Sequence, residues 1–384
     1  MRILHVVPTY LPAVRYGGPI VSVHALCGAL VQRGHDVEVF TTNVDGEDVS
    51  NVSLDAPSFL DGVKVNYFPV SRFRRLYYSP AMMAALVSNV DKYDLVHLHS
   101  VFLWPTWAAA RAARKAGVPY VISPRGMLVK DLIKRRSRWL KTAWIALIEK
   151  KNLFFASGVH STSKMETEEM LALDIQLQSL PFEIPNGVAL PALSKQLDIR
   201  ASEIPFVLAL GRISWKKQLE LSMQAVAKVP DLNFVIAGPD DENLTPALRQ
   251  MAAGLGIADR VRFAGSVSGV EKDQLLQQAL ALMITSISEN FGNVVLESMA
   301  AARPVLCVPQ VGAAEIVVAS QAGAVVNPEA ESLAEILSHW KDNPATADLL
   351  GERGRHWVKL YYSWDTIAAR MESQYRSILG MESC

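Results

Sequence analysis

Short apolar runs recur through this chain, and helical patterns lie between them. In the first half the runs are Ile3–Val7, Val37–Thr41, Val63–Phe68, Leu95–Leu98 and Val118–Ser123. In the second half they are Phe206–Leu210, Asn233–Ala237, Val261–Phe263, Ala279–Ile284, Pro304–Val308 and Ala324–Asn327. Runs this short read as strands, and strands without a polar face are buried on both sides. Intervening stretches such as Ile20–Arg33, Trp107–Ala116 and Leu219–Val229 carry helical spacing. Such alternation points to α/β domains with doubly wound parallel sheets. A chain of 384 residues has room for two of them.

Bulk properties exclude several classes. Half of the residues are hydrophobic, which argues against disorder. Basic and acidic residues balance at 38 each, so no global charge draws nucleic acid or a membrane. Cys27, Cys307 and Cys384 have no metal spacing and read as core thiols plus a free tail. The apolar start is too short for a signal peptide, and no run is long enough to span a bilayer. A cytoplasmic protein is expected.

Residues 285–299 carry the densest chemistry. A buried strand leads into a polar turn, then Gly292, then a helical pattern through Val294, Val295 and Met299. Glu289 stands on the turn, and Glu297 lies about 7 Å inside the helix at ~1.5 Å per residue. Between them a helix N-terminus offers free amides and positive partial charge, a setting for phosphate. Carboxylates beside a phosphate need another task, and accepting hydrogen bonds from sugar hydroxyls is one. An ordinary turn with two solvated glutamates fits the residues as well.

Other segments fit the first of these readings. Gly211 ends a strand, and Arg212 and Lys217 follow it before a helix, so two cations sit where a diphosphate requires them. The acidic turn Asp240-Asp241-Glu242 lacks a strict Asp-x-Asp arrangement, which leaves the cations to do a metal's work. In the first half a loop with Arg15, Tyr16, Gly17 and Gly18 follows the first strand, and its glycines permit a close approach of backbone to ligand. His97 and His99 are read as facing opposite sides of their strand, with no third metal ligand placed. Arg125, in Ser123-Pro-Arg-Gly-Met, follows a strand at the edge where open sheets hold ligands. A structural arginine is the alternative there. Residues 130–151 combine lysines and arginines with Trp139 and Trp144 at helical spacing. That composition suits peripheral contact with an anionic membrane, or a helix packed on its own domain.

Glu289, Phe291, Gly292 and Glu297 in this context, with the Gly211-Arg…Lys217 loop, resemble the donor-site signature of retaining glycosyltransferases of the GT-B fold, family-4 type. The resemblance covers nearly the whole chain. It implies two doubly wound, Rossmann-like domains facing across a cleft. Residues 1–190, joined by a C-terminal helix 365–384, would hold the acceptor. Residues 191–364 would bind the nucleotide sugar. It further implies transfer from a nucleoside-diphosphate sugar, UDP-sugar favoured, to a glycan or lipid-linked acceptor, with no cofactor and no metal. Arg212, Lys217 and Glu289 become the catalytic set. Gly17, Gly18, Arg125, Gly211, Val267, Asn290, Phe291, Gly292, Asn293 and Glu297 become substrate-binding residues. The sequence departs from the family pattern at two places. Gln218 replaces a glycine after Lys217, and Arg125 stands about where many relatives have a histidine. A nucleotide-sugar epimerase of the same fold, and a nucleotide-sugar carrier without chemistry, are the competing expectations.

Overall fold

The computed structural model describes residues 1–13, 18–71, 73–128, 144, 148–173, 175–193 and 204–381. The chain divides into two compact units, Met1–Gly187 with Trp364–Cys384, and Val188–Ser363. The sequence places the crossings near 190 and 364. The first lies three residues earlier because Val188 already pairs with the second unit, its amide donating to the Tyr362 carbonyl at 2.8 Å. Residues 194–203, most of the expected linker, lie outside the described residues.

Unit 1 is built on eight strands. They are β1 (Arg2–Thr9), β2 (Asp36–Thr42), β3 (Ser58–Leu60), β4 (Val63–Phe68), β5 (Leu95–His99), β6 (Tyr120–Ser123), β7 (Gly158–Ser161) and β8 (Phe182–Glu183). Their order is β8-β7-β6-β5-β1-β2-β4-β3, and every pairing except β3–β4 is parallel. Alternate residues feed two cores. Leu4, Val6, Val96 and Leu98 pack with α2 (Pro80–Asn89) and α3 (Trp104–Ala116). Ile3, Val7, Leu95 and Val121 pack with α1 (Gly18–Gln32) and with the helix Trp364–Ile378, which closes unit 1. Pro105 extends α3 one turn before the expected start at Trp107, since proline is tolerated in a first turn. Cys27 is buried and unpaired, whereas Cys384 lies outside the described residues.

Unit 2 has six parallel strands, β9 (Phe206–Leu210), β10 (Asn233–Ala237), β11 (Val261–Gly265), β12 (Ala281–Ile284), β13 (Val305–Cys307) and β14 (Gly323–Val325). Their order is β11-β10-β9-β12-β13-β14, with connections running outward from the β9/β12 pair. This is the nucleotide-binding order, and its topological switch point lies between β9 and β12. The helix Asn293–Ala300 after β12 is covered from behind by the helix Pro344–Tyr361. The two approach closely because Gly351 has no side chain. A Cβ there would lie 2.1 Å from the Ala302 carbonyl oxygen. Gly351→Ala is therefore expected to cost unit 2 about 1–3 kcal/mol by overpacking. Calorimetry would show the loss as several degrees in the unit 2 melting temperature, and an unchanged value would refute the contact.

Candidate functional site

The switch point of unit 2 gathers the second-half candidates. Gly211, at φ 128°, turns the chain out of β9 while its amide still bonds the Ala237 carbonyl at 2.9 Å. The chain then runs through Arg212 into a short 3₁₀ turn, Trp215–Lys217. Gln218 follows at φ 46°, ψ 47°. A left-handed residue here explains why the family pattern has glycine, and the glutamine costs roughly 1–2 kcal/mol of backbone strain. Thr285, at the end of β12, offsets part of it. Its hydroxyl lies 2.9 Å from the Lys217 carbonyl and 2.8 Å from the Ser222 hydroxyl. The Lys217 loop is thereby latched to the strand that leads to Glu289.

Both glutamates are ion-paired. Lys217 pairs with Glu289, and Lys272 with Glu297 at 3.1 Å. All four side chains are half-buried. Arg212 is exposed and makes no ion pair among the described residues. It lines a pocket together with Gly211, Lys217, Met283, Thr285 and Ser286. Gly292, at φ 87°, caps the helix Asn293–Ala300 from the left-handed region. A Cβ on it would press on Val311 at 3.2 Å and Glu289 at 3.3 Å. The glycine thus shapes the turn in addition to leaving room for a ligand. Asn290 and Asn293 are half-buried at this turn.

Packing around the turn adds contacts that the sequence does not show. The Phe291 side chain is 4% exposed and packs in the core with Val295 and Met299, so only its backbone faces the turn. Val267 packs partly against the same core, on the loop after β11. The acidic turn has structural partners. Asp240 accepts from the amides of Leu244 and Thr245 at 2.9 and 2.7 Å, and Glu242 accepts from the Trp215 amide at 3.1 Å. Lys272 and Thr285 escaped the sequence reading. A lysine and a threonine carry no local signal, and their roles arise only when the strand ends meet.

In unit 1 Gly18 is the exposed first residue of α1, while Arg15, Tyr16 and Gly17 lie outside the described residues. So does most of the basic stretch 130–151. Of its tryptophans only Trp144 is described, and its ring nitrogen donates to Glu149 at 2.9 Å. His97 and His99 do not face opposite sides. Side chains two apart on a strand share a face, and their rings stack at 4.2 Å between centroids. A third histidine also joins them. His5, the register partner of His97 on β1, brings three ring-nitrogen donors within 4.8 Å of one another. All are buried. Burial lowers the His5 pKa to about 3, with Arg125 adding to the effect. Burial likewise holds His97 and His99 well below the usual value, each with the neighbouring histidine and Arg125 contributing. His160 is lowered to about 3 by burial and Arg125.

Comparison with known proteins follows the same division. Residues 17–181 match the glycosyl transferase 4-like domain, and residues 194–357 match the glycosyl transferases group 1 family. An uncharacterised glycosyltransferase of Methanocaldococcus jannaschii is 26% identical over 99% of both chains. A GDP-mannose:cellobiosyl-diphosphopolyprenol alpha-mannosyltransferase of Komagataeibacter xylinus is 26% identical over 99% of this chain and 94% of its own. Among solved structures, Anabaena HepE in complex with UDP and glucose superposes with a TM-score of 0.76 at 19% identity, covering 98% of this chain and 100% of that one. Sucrose-phosphate synthase from Thermosynechococcus elongatus superposes at 0.75 with 23% identity over 99% of each chain. With two Rossmann-like units and a glycosyltransferase match over each, the chain belongs to the family-4 glycosyltransferases of the GT-B fold.

Proposed function

We propose that the chain moves a sugar from a nucleoside-diphosphate sugar, UDP-sugar favoured, to a glycan or lipid-linked acceptor, with retention at the anomeric carbon and without a metal. One observation carries the reading. Arg212, Lys217 and the N-terminus of the helix Asn293–Ala300 converge at the switch point of unit 2, where open α/β sheets take nucleotides. Departure of the diphosphate is the hard step, because charge grows on its β-phosphate. Arg212, Lys217 and the amides at Gly292–Asn293 stabilise that charge. At about 3 kcal/mol per fixed donor, three supply about 9 kcal/mol, the low end of enzymatic acceleration. Glu297 accepts from the ribose hydroxyls and Glu289 from those of the sugar. Lys217 and Lys272 hold these carboxylates until the ligand arrives. The Anabaena complexes with UDP and UDP-glucose favour uridine, whereas the mannosyltransferase relative uses GDP-mannose. The diphosphopolyprenol acceptor of that relative supports a lipid-linked acceptor here.

Thermal denaturation with UDP, UDP-glucose and GDP-mannose tests the reading. A nucleotide at 100 times its Kd stabilises by about 2.7 kcal/mol, or roughly 5–10 °C for a unit of this size. The same shift is expected in a strong chelator, because fixed cations hold the phosphates. No shift with any of the three ligands would refute the donor site, and a shift abolished by the chelator would refute metal independence.

A further inference from the structure

Arg125 is a half-buried cation without a carboxylate partner among the described residues. Its Nη1 donates to Asn186 Oδ1 at 3.0 Å and its Nη2 approaches His99 Nδ1 at 3.2 Å. Nε is shielded from solvent and has no partner. No described carboxylate is within ion-pair distance, and Glu166 acts on it only through space. Burial lowers its pKa, yet a guanidinium remains charged in a protein. Withdrawing a charge from water without an opposite charge beside it is unfavourable, and a ligand anion would remove that imbalance.

The backbone around it is strained in a concerted way. Arg125, after β6, has φ of 57°, and Ser100 and Phe102, after β5, have 73° and 62°, whereas Gly126 takes 72° without strain. Two buried carboxylates hold these turns. Glu166 accepts from the Gly126 amide at 2.6 Å, and Glu149 accepts from the Phe102 amide at 2.8 Å. Strain of roughly 1–3 kcal/mol per residue gathers where surrounding structure over-determines a functional site. These turns lie at the carboxyl ends of neighbouring strands, beside the β1/β5 switch point of unit 1.

The histidines behind Arg125 fix its direction. A guanidinium only donates, so His99 Nδ1 must be bare and His99 Nε2 must carry the proton. That proton goes to His5 Nδ1 at 3.0 Å, which leaves His5 protonated on Nε2, a buried atom without a partner. His97 is engaged elsewhere. Its two nitrogens meet the Tyr375 hydroxyl at 2.5 Å and the Ser123 hydroxyl at 2.6 Å. Ser123 meets His160, whose Nε2 donates to the Ile184 carbonyl at 2.7 Å. A divalent metal among His5, His97 and His99 would break both chains and put two further positive charges beside Arg125. The cluster is better suited to holding a cation still than to binding one.

We propose that Arg125 anchors an oxyanion, a phosphoryl or carboxylate group, on the molecule that unit 1 binds, with His99 and behind it His5 as positioning residues. On the transferase reading that molecule is the acceptor, and this naming alone rests on that reading. The neutral His99 ring presents the guanidinium at a fixed angle. The arriving anion supplies the missing counter-charge.

The test is a titration of the Lys217→Ala chain, which lacks one cation of the unit 2 site, with inorganic phosphate and separately with acetate. The ¹H–¹⁵N resonance of Arg125 Nε, assigned by its loss in Arg125→Lys, reports binding. Phosphate or acetate is expected to shift it saturably, and Arg125→Lys to weaken the tighter ion at least about tenfold, followed through neighbouring backbone amides. His99→Leu is expected to weaken it too, whereas His99→Asn, which keeps an acceptor near the Nδ1 position, restores it. If neither ion shifts the resonance, or Arg125→Lys binds as tightly, the anchor is refuted. Equal binding by the leucine and asparagine variants refutes the positioning role. The nucleotide melting shift, measured in parallel on the chain with Lys217 intact, separates the two readings. Its absence with anion binding kept sinks the transferase reading alone.

Discussion

Acidification from pH 7 to pH 5 is expected to unfold unit 1 while leaving unit 2 folded. His5, His97, His99 and His160 are buried with pKa values held far below the ordinary 6.5, at about 3 for His5 and His160. These are bases with depressed folded-state values, so the unfolded chain binds protons first. Their contribution is whole above about pH 6.5 and is lost as the pH falls from there towards the folded values. Each histidine forfeits about 1.4 kcal/mol per pH unit in that window. Four such groups act in the same direction, against a domain stability of only ~5–15 kcal/mol. Burial pushes the Glu149 carboxyl up, which works in the opposite sense and returns part of the loss. Unit 2 has no buried histidine among its described residues. Scanning calorimetry at the two pH values should therefore show two transitions, of which only the unit 1 transition falls. Parallel movement of both, or a unit 1 that stays folded at pH 5, would contradict the neutral-histidine network.

The same cluster shows where the sequence stops being legible. Strand–helix alternation is a local pattern, so the strands of both sheets and the place of Gly292 can be anticipated from neighbours in the chain. His5 and His97 meet because β1 pairs with β5, and no local pattern announces which strands pair across ninety residues. Placing His97 and His99 on opposite faces was an error of period, since a strand repeats every two residues. Phe291 stands in a motif that reads as ligand-facing, but its ring is worth more in the core than at a polar turn. Asp240 and Glu242 look like free acids until the helix Thr245–Gly254 and the Trp215 turn claim them. The places of residues 211–217 and 289–297 after their strands were readable one by one. That lysines hold both glutamates was not, because Lys217 and Glu289 are 72 residues apart.

Replacement of Lys217 by alanine is expected to lower sugar transfer by about 10²–10³-fold, the effect of losing one fixed donor to a developing oxyanion. The loss should fall on kcat more than on KM, because charge on the β-phosphate grows as the bond breaks. Stability should scarcely change. Both partners of the Lys217–Glu289 pair still reach solvent, with 21% and 27% of their side chains exposed, and such a pair contributes about 0–1 kcal/mol after screening. A catalytic lysine and a structural one thus predict opposite ledgers, one losing turnover at constant melting temperature, the other the reverse. Glu289→Gln adds a second axis. It keeps a hydrogen-bond acceptor for the sugar but frees Lys217 from its resting partner, so donor binding should tighten or hold while turnover falls. Because the two residues touch, the double variant should lose less than the product of the single losses. Transfer by Lys217→Ala within threefold of the unaltered chain would remove the lysine from the mechanism. The diphosphate would then be left to Arg212 and the helix amides, and about 6 kcal/mol from two donors falls short of the roughly 8 kcal/mol that the slowest enzymes require.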